Sequence, residues 1–166
     1  PMLDRSVEIY INPNETGWEE RYYQCLFDIK IDDTRRKEIC VNYLEGLEWT
    51  LKYYTTGCCN WRWSYKYNYP PLLKDLVKFI PAFDVTFVET SPPDPVHPLV
   101  QLSYVIPRKS LYLVPKKLQE LLLYHHNASY SEDYQIEWAY CRYFWESHVK
   151  FCETDIKELE ILVDGL

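Results

Sequence analysis

No apolar run in this chain approaches the roughly 20 residues that a membrane-spanning helix needs, so no membrane partner is expected. Basic charge is also in short supply: 18 Lys and Arg stand against 25 Asp and Glu, a formal net charge of −7. A free-standing nucleic-acid binder usually carries a basic stripe. Any nucleic-acid contact must therefore be local, or shared with a basic partner. The common catalytic signatures are missing as well. There is no His-Glu-x-x-His, phosphate loop, Gly-x-Gly-x-x-Gly or Gly-x-Ser-x-Gly, and with them go the chemistries those patterns support. No Cys-x-x-Cys pair exists. Cys58-Cys59 with His125-His126 is a poor metal set, because vicinal cysteines do not readily ligate one tetrahedral zinc together. A two-metal nuclease needs carboxylates converging on ions about 4 Å apart. Asp32-Asp33, Glu132-Asp133 and Glu153 to Asp155 instead sit at helix starts or in loops, where capping and solvation account for them. No catalytic residue and no metal ligand is assigned.

What is present describes a globular protein. The 166 residues are 47% hydrophobic, enough for one domain with a real core and too apolar for a disordered chain. Aromatics make up 17%, with 16 Tyr and 6 Trp, residues that bury large area while keeping a polar handle. Of the six cysteines, Cys25, Cys40, Cys141 and Cys152 have apolar or aromatic neighbours, as reduced buried thiols do. An intracellular, cytoplasmic setting is the expectation. The Pro1-Met2 start reads as a cleavage scar, so the chain is expected to be a piece of something longer.

The pattern predicts a mainly α fold with a few short strands. Residues 1–16 read as an N-terminal arm, with Val7 to Ile11 a short strand or extended segment broken by Asn12-Pro13-Asn14. Residues 17–166 read as one helical domain. A helix is expected from Trp18 to Ile29, capped by Thr16 with Glu19 completing a capping box. A long second helix, capped by Asp33 or Thr34, should run to about Tyr54, its stripe formed by Ile39, Tyr43, Leu47, Leu51 and Tyr54. Gly46 costs that helix about 1 kcal/mol relative to Ala, which is best explained by another element approaching closely. Gly57 is the expected C-terminal stop. Leu72 to Ile80 is read as a short helix with Leu73, Leu76, Val77 and Ile80 inward, and Asp84 to Thr90 as a weak strand. Ser91 to Pro95 forms a proline-rich connector. Further helices are expected at His97–Val105 (Leu99, Leu102 and Val105 inward), Lys116–Tyr124 and Asp155–Val163, with one extra turn near Ser110. Gln135 to Trp145 reads as a strand, or as an irregular segment turning helical near Trp145.

The loop after the long helix alternates rings: Trp61, Trp63, Tyr65, Tyr67 and Tyr69, with Arg62 and Lys66 between them. Two readings stand side by side. The rings could pack onto the long helix as core, or they could stack bases of single-stranded nucleic acid at about 1–3 kcal/mol each, with the cations meeting phosphates.

The block Asn42-Tyr-Leu-Glu-Gly-Leu-Glu-Trp49-x-Leu51-x-Tyr53-Tyr54, followed by Gly57, Trp61-x-Trp63, Tyr65-x-Tyr67-x-Tyr69-x-Pro71 and Asp75-Leu76, resembles the second conserved region of the XRN/Rat-type 5′→3′ exoribonucleases. Gly17-Trp18-x-x-Arg21-Tyr22-Tyr23 with Phe27 is similar to the family's approach to that block. His97-Pro98-Leu99-x-Gln101-Leu102-x-x-Val105-Ile106-Pro107, the stretch from Ser110 to Leu121, and Glu137-Trp138 resemble its later motifs. The likeness covers residues 17–145. Asn68-Tyr69-Pro70-Pro71 replaces the family's His-Tyr-Ala-Pro, Lys66 replaces a proline, and the loop before Trp138 is shortened. These departures put fine substrate contacts in question and suggest a divergent member, with a viral source the expectation.

The resemblance implies that this is the C-terminal, helical portion of a larger nuclease, with the α/β half that carries the acids absent. The parent would degrade 5′-monophosphate RNA using Mg²⁺ held in that missing half; no cofactor is expected in this chain. The implied partners are the nuclease half and single-stranded RNA. The portion would shape the active-site mouth, with Trp138 at the position that guides bases. Trp61 and Trp63 would lean toward scaffold, and Arg62, Lys66, Tyr67 and Tyr69 complete the implied RNA-facing set. The alternative is a stand-alone RNA- or protein-binding module without catalysis.

Overall fold

Residues 4–91, 94–150, 152 and 154–166 are described by the computed structural model. Pro1-Met2, the Pro92-Pro93 pair of the connector and Glu153 lie outside them. The described chain is mainly α, with two short strands, and it divides into two compact units. One comprises the chain up to Asp94 together with Trp138–Glu146, the other Pro95–Glu137 with Ser147–Leu166.

The first unit starts with α1 (Ser6–Ile11), a helix where a strand or extended arm was expected. The cause is non-local. The Arg21 guanidinium, ten residues on, donates to the carbonyls of Tyr10 and Ile11 at 2.9–3.1 Å, satisfying acceptors that the helix end leaves open. Arg21 Nη1 also donates to Thr16 O. Helix α2 (Trp18–Phe27) follows Gly17, whose φ of 81° makes the entry. No side chain caps it, so the expected Thr16–Glu19 capping box does not form. Asp32 caps α3 (Asp33–Thr55) by accepting from Arg35 N at 2.8 Å, so the cap is neither Asp33 nor Thr34. Gly57, with φ 103°, donates to Lys52 O and closes α3 as expected.

The stripe on α3 is only half used. Ile39 and Cys40 are buried, whereas Leu47, Leu51 and Tyr54 face solvent, Tyr54 at 81% exposure. The predicted helix 72–80 shrinks to α4 (Leu73–Leu76) with a 3-10 turn at Val77–Phe79. Of its four expected core residues only Leu76 is buried; the other three are exposed. Asp75 takes the inward place, 1% exposed. Its carboxylate accepts from Tyr23 Oη (2.9 Å) and Lys78 Nζ (3.0 Å), and Arg36 Nε lies 3.3 Å away. Residues 84–90 form no strand. Glu48 accepts from Phe87 N, and Val88 is buried. Ile11, Tyr22, Tyr23, Leu26, Ile39, Tyr69 and Ala139 make the core.

The second unit holds α5 (Pro98–Val105), a 3-10 turn (Arg108–Leu113), α6 (Lys116–His125), the antiparallel pair β1 (Gln135–Glu137) and β2 (His148–Lys150), and α7 (Ile156–Asp164). The buried face of α5 carries Val100 and Ser103, with Leu99 and Leu102 half-buried and Val105 exposed. Tyr130 Oη donates to Ser103 O at 2.6 Å, and Leu118, Leu122 and Leu159 complete the centre. Asp155 caps α7 through Lys157 N. No helix among the described residues is long and apolar enough to cross a membrane.

Candidate nucleic-acid interface

The polar residues of the Asn42–Trp49 block clamp the aromatic loop to α3. Asn42 Nδ2 and Trp63 Nε1 both donate to Glu45 Oε2, at 2.7 and 3.2 Å. Asn42 Oδ1 accepts from Lys66 N at 3.0 Å, and Trp49 Nε1 donates to Asn60 O at 2.8 Å. Glu48 pairs with Lys52 while holding Phe87 N. Its carboxyl is held below the usual range, first by the Lys52 hydrogen bond.

Ring packing completes the clamp. Trp63 stacks on Trp49 (6.0 Å, 23°), and Trp49 on Tyr53 (5.2 Å, 11°). A Cβ at Gly46 would lie 2.8 Å from Trp63 Cη2, which is the close approach anticipated for this glycine. Tyr65 meets Tyr43 and Tyr67 edge-on, and Tyr67 meets Phe27 at 5.3 Å. Burial pushes the Tyr65 phenol well above its ordinary value, reinforced by neighbouring tyrosines, and raises Tyr67 too.

The sequence-identified residues separate accordingly. Tyr69 is core, its Oη donating to Ala139 O at 3.2 Å; its ring is enclosed and offers no open stacking face. Trp63 and Tyr67 are half-buried in the clamp. Trp61, at 44%, is exposed, as are Arg62 and Lys66. Trp138 is half-buried against Phe144 at 5.6 Å. Its segment joins the clamp through Tyr69 and Ala139.

That segment also presents rings that sequence reasoning passed over. Residues 138–146 form a knob in which Cys141 N donates to Trp138 O at 3.0 Å. Glu146 accepts from Arg142 N and Tyr143 N, which hold its carboxyl below the usual range, Tyr143 first. Tyr140 takes φ 59° and donates to Glu8. On the outside Tyr143 and Trp145 stack at 4.6 Å and 9°, with the Arg142 guanidinium 5.2 Å from the Tyr143 ring centre. Trp145 is 77% exposed.

Among the described residues, no three His, Cys, Asp or Glu side chains converge as a metal site, and no disulfide links the six cysteines.

Comparison with known proteins matches residues 8–161 to the family described as the Xrn1 helical domain. The chain is 35% identical over 136 residues to a 5′-3′ exoribonuclease 2 homolog of Caenorhabditis elegans, covering 80% of this chain and 14% of that protein. It is 32% identical over 152 residues to 5′-3′ exoribonuclease 2 of Arabidopsis thaliana (88% and 15%). Against the Saccharomyces cerevisiae protein of that name it is 36% identical over 110 residues (65% and 10%). The chain thus spans about a seventh or less of these relatives' length. A clamp built from the Asn42–Trp49 block, inside a match that runs nearly end to end, places this chain in the Xrn1 helical domain family.

Proposed function

We propose that this chain is the part of a 5′-3′ exoribonuclease that narrows the entrance to the active site and guides single-stranded RNA into it. In this reading the acids and Mg²⁺ that cleave 5′-monophosphate RNA belong to a separate α/β half, and no chemical step falls to residues of this chain. One observation carries the proposal: the knob 138–146 exposes a parallel Tyr143–Trp145 stack next to Arg142, beside the half-buried Trp138.

Parallel rings with an open face suit bases, because every base has a π-face and stacking tolerates any sequence. The guidance needs a fixed platform. Glu146 supplies this by accepting two backbone N–H bonds within the knob, and Tyr69 by holding its first turn. The clamped loop, with Trp61 and Arg62 exposed at its tip, is the scaffold of the mouth. The −7 charge fits a portion that leaves phosphate neutralisation mainly to its partner half.

The test is processive decay by the whole parent enzyme carrying Trp138→Ala or Trp145→Ala. Loss of one stacked base is expected to shorten processive runs by about tenfold, within the range of ring stacking, with the variant folded by circular dichroism. Unchanged processivity in both variants contradicts the guiding role.

A further inference from the structure

A cavity of about 550 Å³ opens in the second unit, between the end of α5 with its following turn and the 129–134 loop. Its size lies within the range of small-molecule sites, roughly 300–1,000 Å³. Nothing in the proposed RNA path uses it. Ile106 and Val149 bring apolar surface to its lining. Two rings stand at it, Tyr104 (43% exposed) and Tyr134 (54% exposed), and so have surface to offer. Arg108 and Lys109, adjacent in sequence, bring cations to the same lining, and Ser129 and Ser131 bring hydroxyls.

The charges decide which ligand fits. Lys109 lies 3.6 Å from Glu132 in an exposed ion pair, so its charge is largely answered within the cavity. Arg108 donates to Asn127 Oδ1 at 2.8 Å; an amide is neutral, so the guanidinium keeps its full charge. A purely apolar ligand would leave that charge unused, and a bare anion would leave the rings unused. A cation would be repelled. The ligand that uses both carries a flat ring and a phosphate, and a planar guanidinium is the side chain best shaped for phosphate.

We propose that this cavity binds a nucleoside 5′-monophosphate, the ring against Tyr104 and Tyr134 and the phosphate at Arg108. The proposal rests on the second unit alone and is independent of the RNA path assigned to the knob.

The test is calorimetric titration of the full chain with AMP, alongside adenosine, inorganic phosphate and a six-nucleotide single-stranded RNA. Saturable AMP binding is expected. Adenosine and phosphate should each bind at least about tenfold more weakly, as should AMP to Arg108→Glu or Tyr134→Ala. Both substituted side chains are exposed, and circular dichroism is the check that the variants fold. Tyr124→Ala, which removes an exposed ring outside both the cavity and the knob, should leave AMP binding unchanged. No saturable AMP binding, equal binding of adenosine, full retention in Arg108→Glu, or preference for the oligonucleotide through these same residues each overturns the proposal.

Discussion

A single added methyl at Gly46 would stand 2.8 Å from Cη2 of Trp63. The indole has little room to yield, being stacked on Trp49 and bonded to Glu45. Two effects of opposite sign therefore meet in Gly46→Ala. Helix propensity favours alanine by about 1 kcal/mol; overpacking costs about 1–3 kcal/mol. We expect the clash to win, with a net loss of up to about 2 kcal/mol in urea unfolding. In the background of Trp63→Leu, which removes the opposing ring, the same substitution should be neutral or stabilising. Stabilisation by Gly46→Ala alone contradicts the clamp.

Tyr69→Phe should cost about 1 kcal/mol, the net worth of the hydrogen bond to Ala139 O. Its more telling effect is local. Hydrogen exchange should quicken in residues 138–146 and stay unchanged in α6 and α7. Uniform exchange across the chain would show that Tyr69 does not hold the knob.

Stability should fall on the alkaline side. Burial pushes Tyr22 and Tyr130 up to about 12 and raises Tyr23 and Tyr65 further; Cys40 goes up to about 11 by burial, with Asp75 adding to it. In the unfolded chain these phenols ionise near 10.0. A raised folded pKa favours the neutral form, so this stability is fully present below 10.0 and is lost as pH rises through the folded values. Tyrosinate absorbance and loss of helix should then rise together above pH 10. Titration of all sixteen tyrosines near 10 with the helices intact contradicts the buried network.

Much of this fold was legible in the sequence wherever the signal was local. Helices α2, α3, α6 and α7 follow apolar periodicity, and Gly57, Pro115 and Asp155 mark their ends. What escaped depends on distant partners. α1 is a helix because Arg21 answers its last carbonyls. Asp75 is buried because Tyr23, Arg36 and Lys78 surround it, an arrangement that periodicity assigns to apolar residues. Leu47, Leu51 and Tyr54 fit a core stripe, but no element of the described chain covers them. In the candidate site, the Asn42–Trp49 block identified the family, while its physical role as a clamp needed coordinates. Tyr69, one of the rings that the resemblance placed toward RNA, is core, and Trp145 is open.

Exposed rings of the knob should meet single-stranded RNA. Tryptophan fluorescence of the chain, titrated with 5′-phosphorylated single-stranded RNA, tests it most directly. Saturable quenching is expected, with affinity reduced about tenfold in Trp145→Ala or Trp138→Ala and unaffected in Arg108→Glu. Fluorescence that does not change with RNA, or quenching that persists at full affinity in both tryptophan variants, would contradict it.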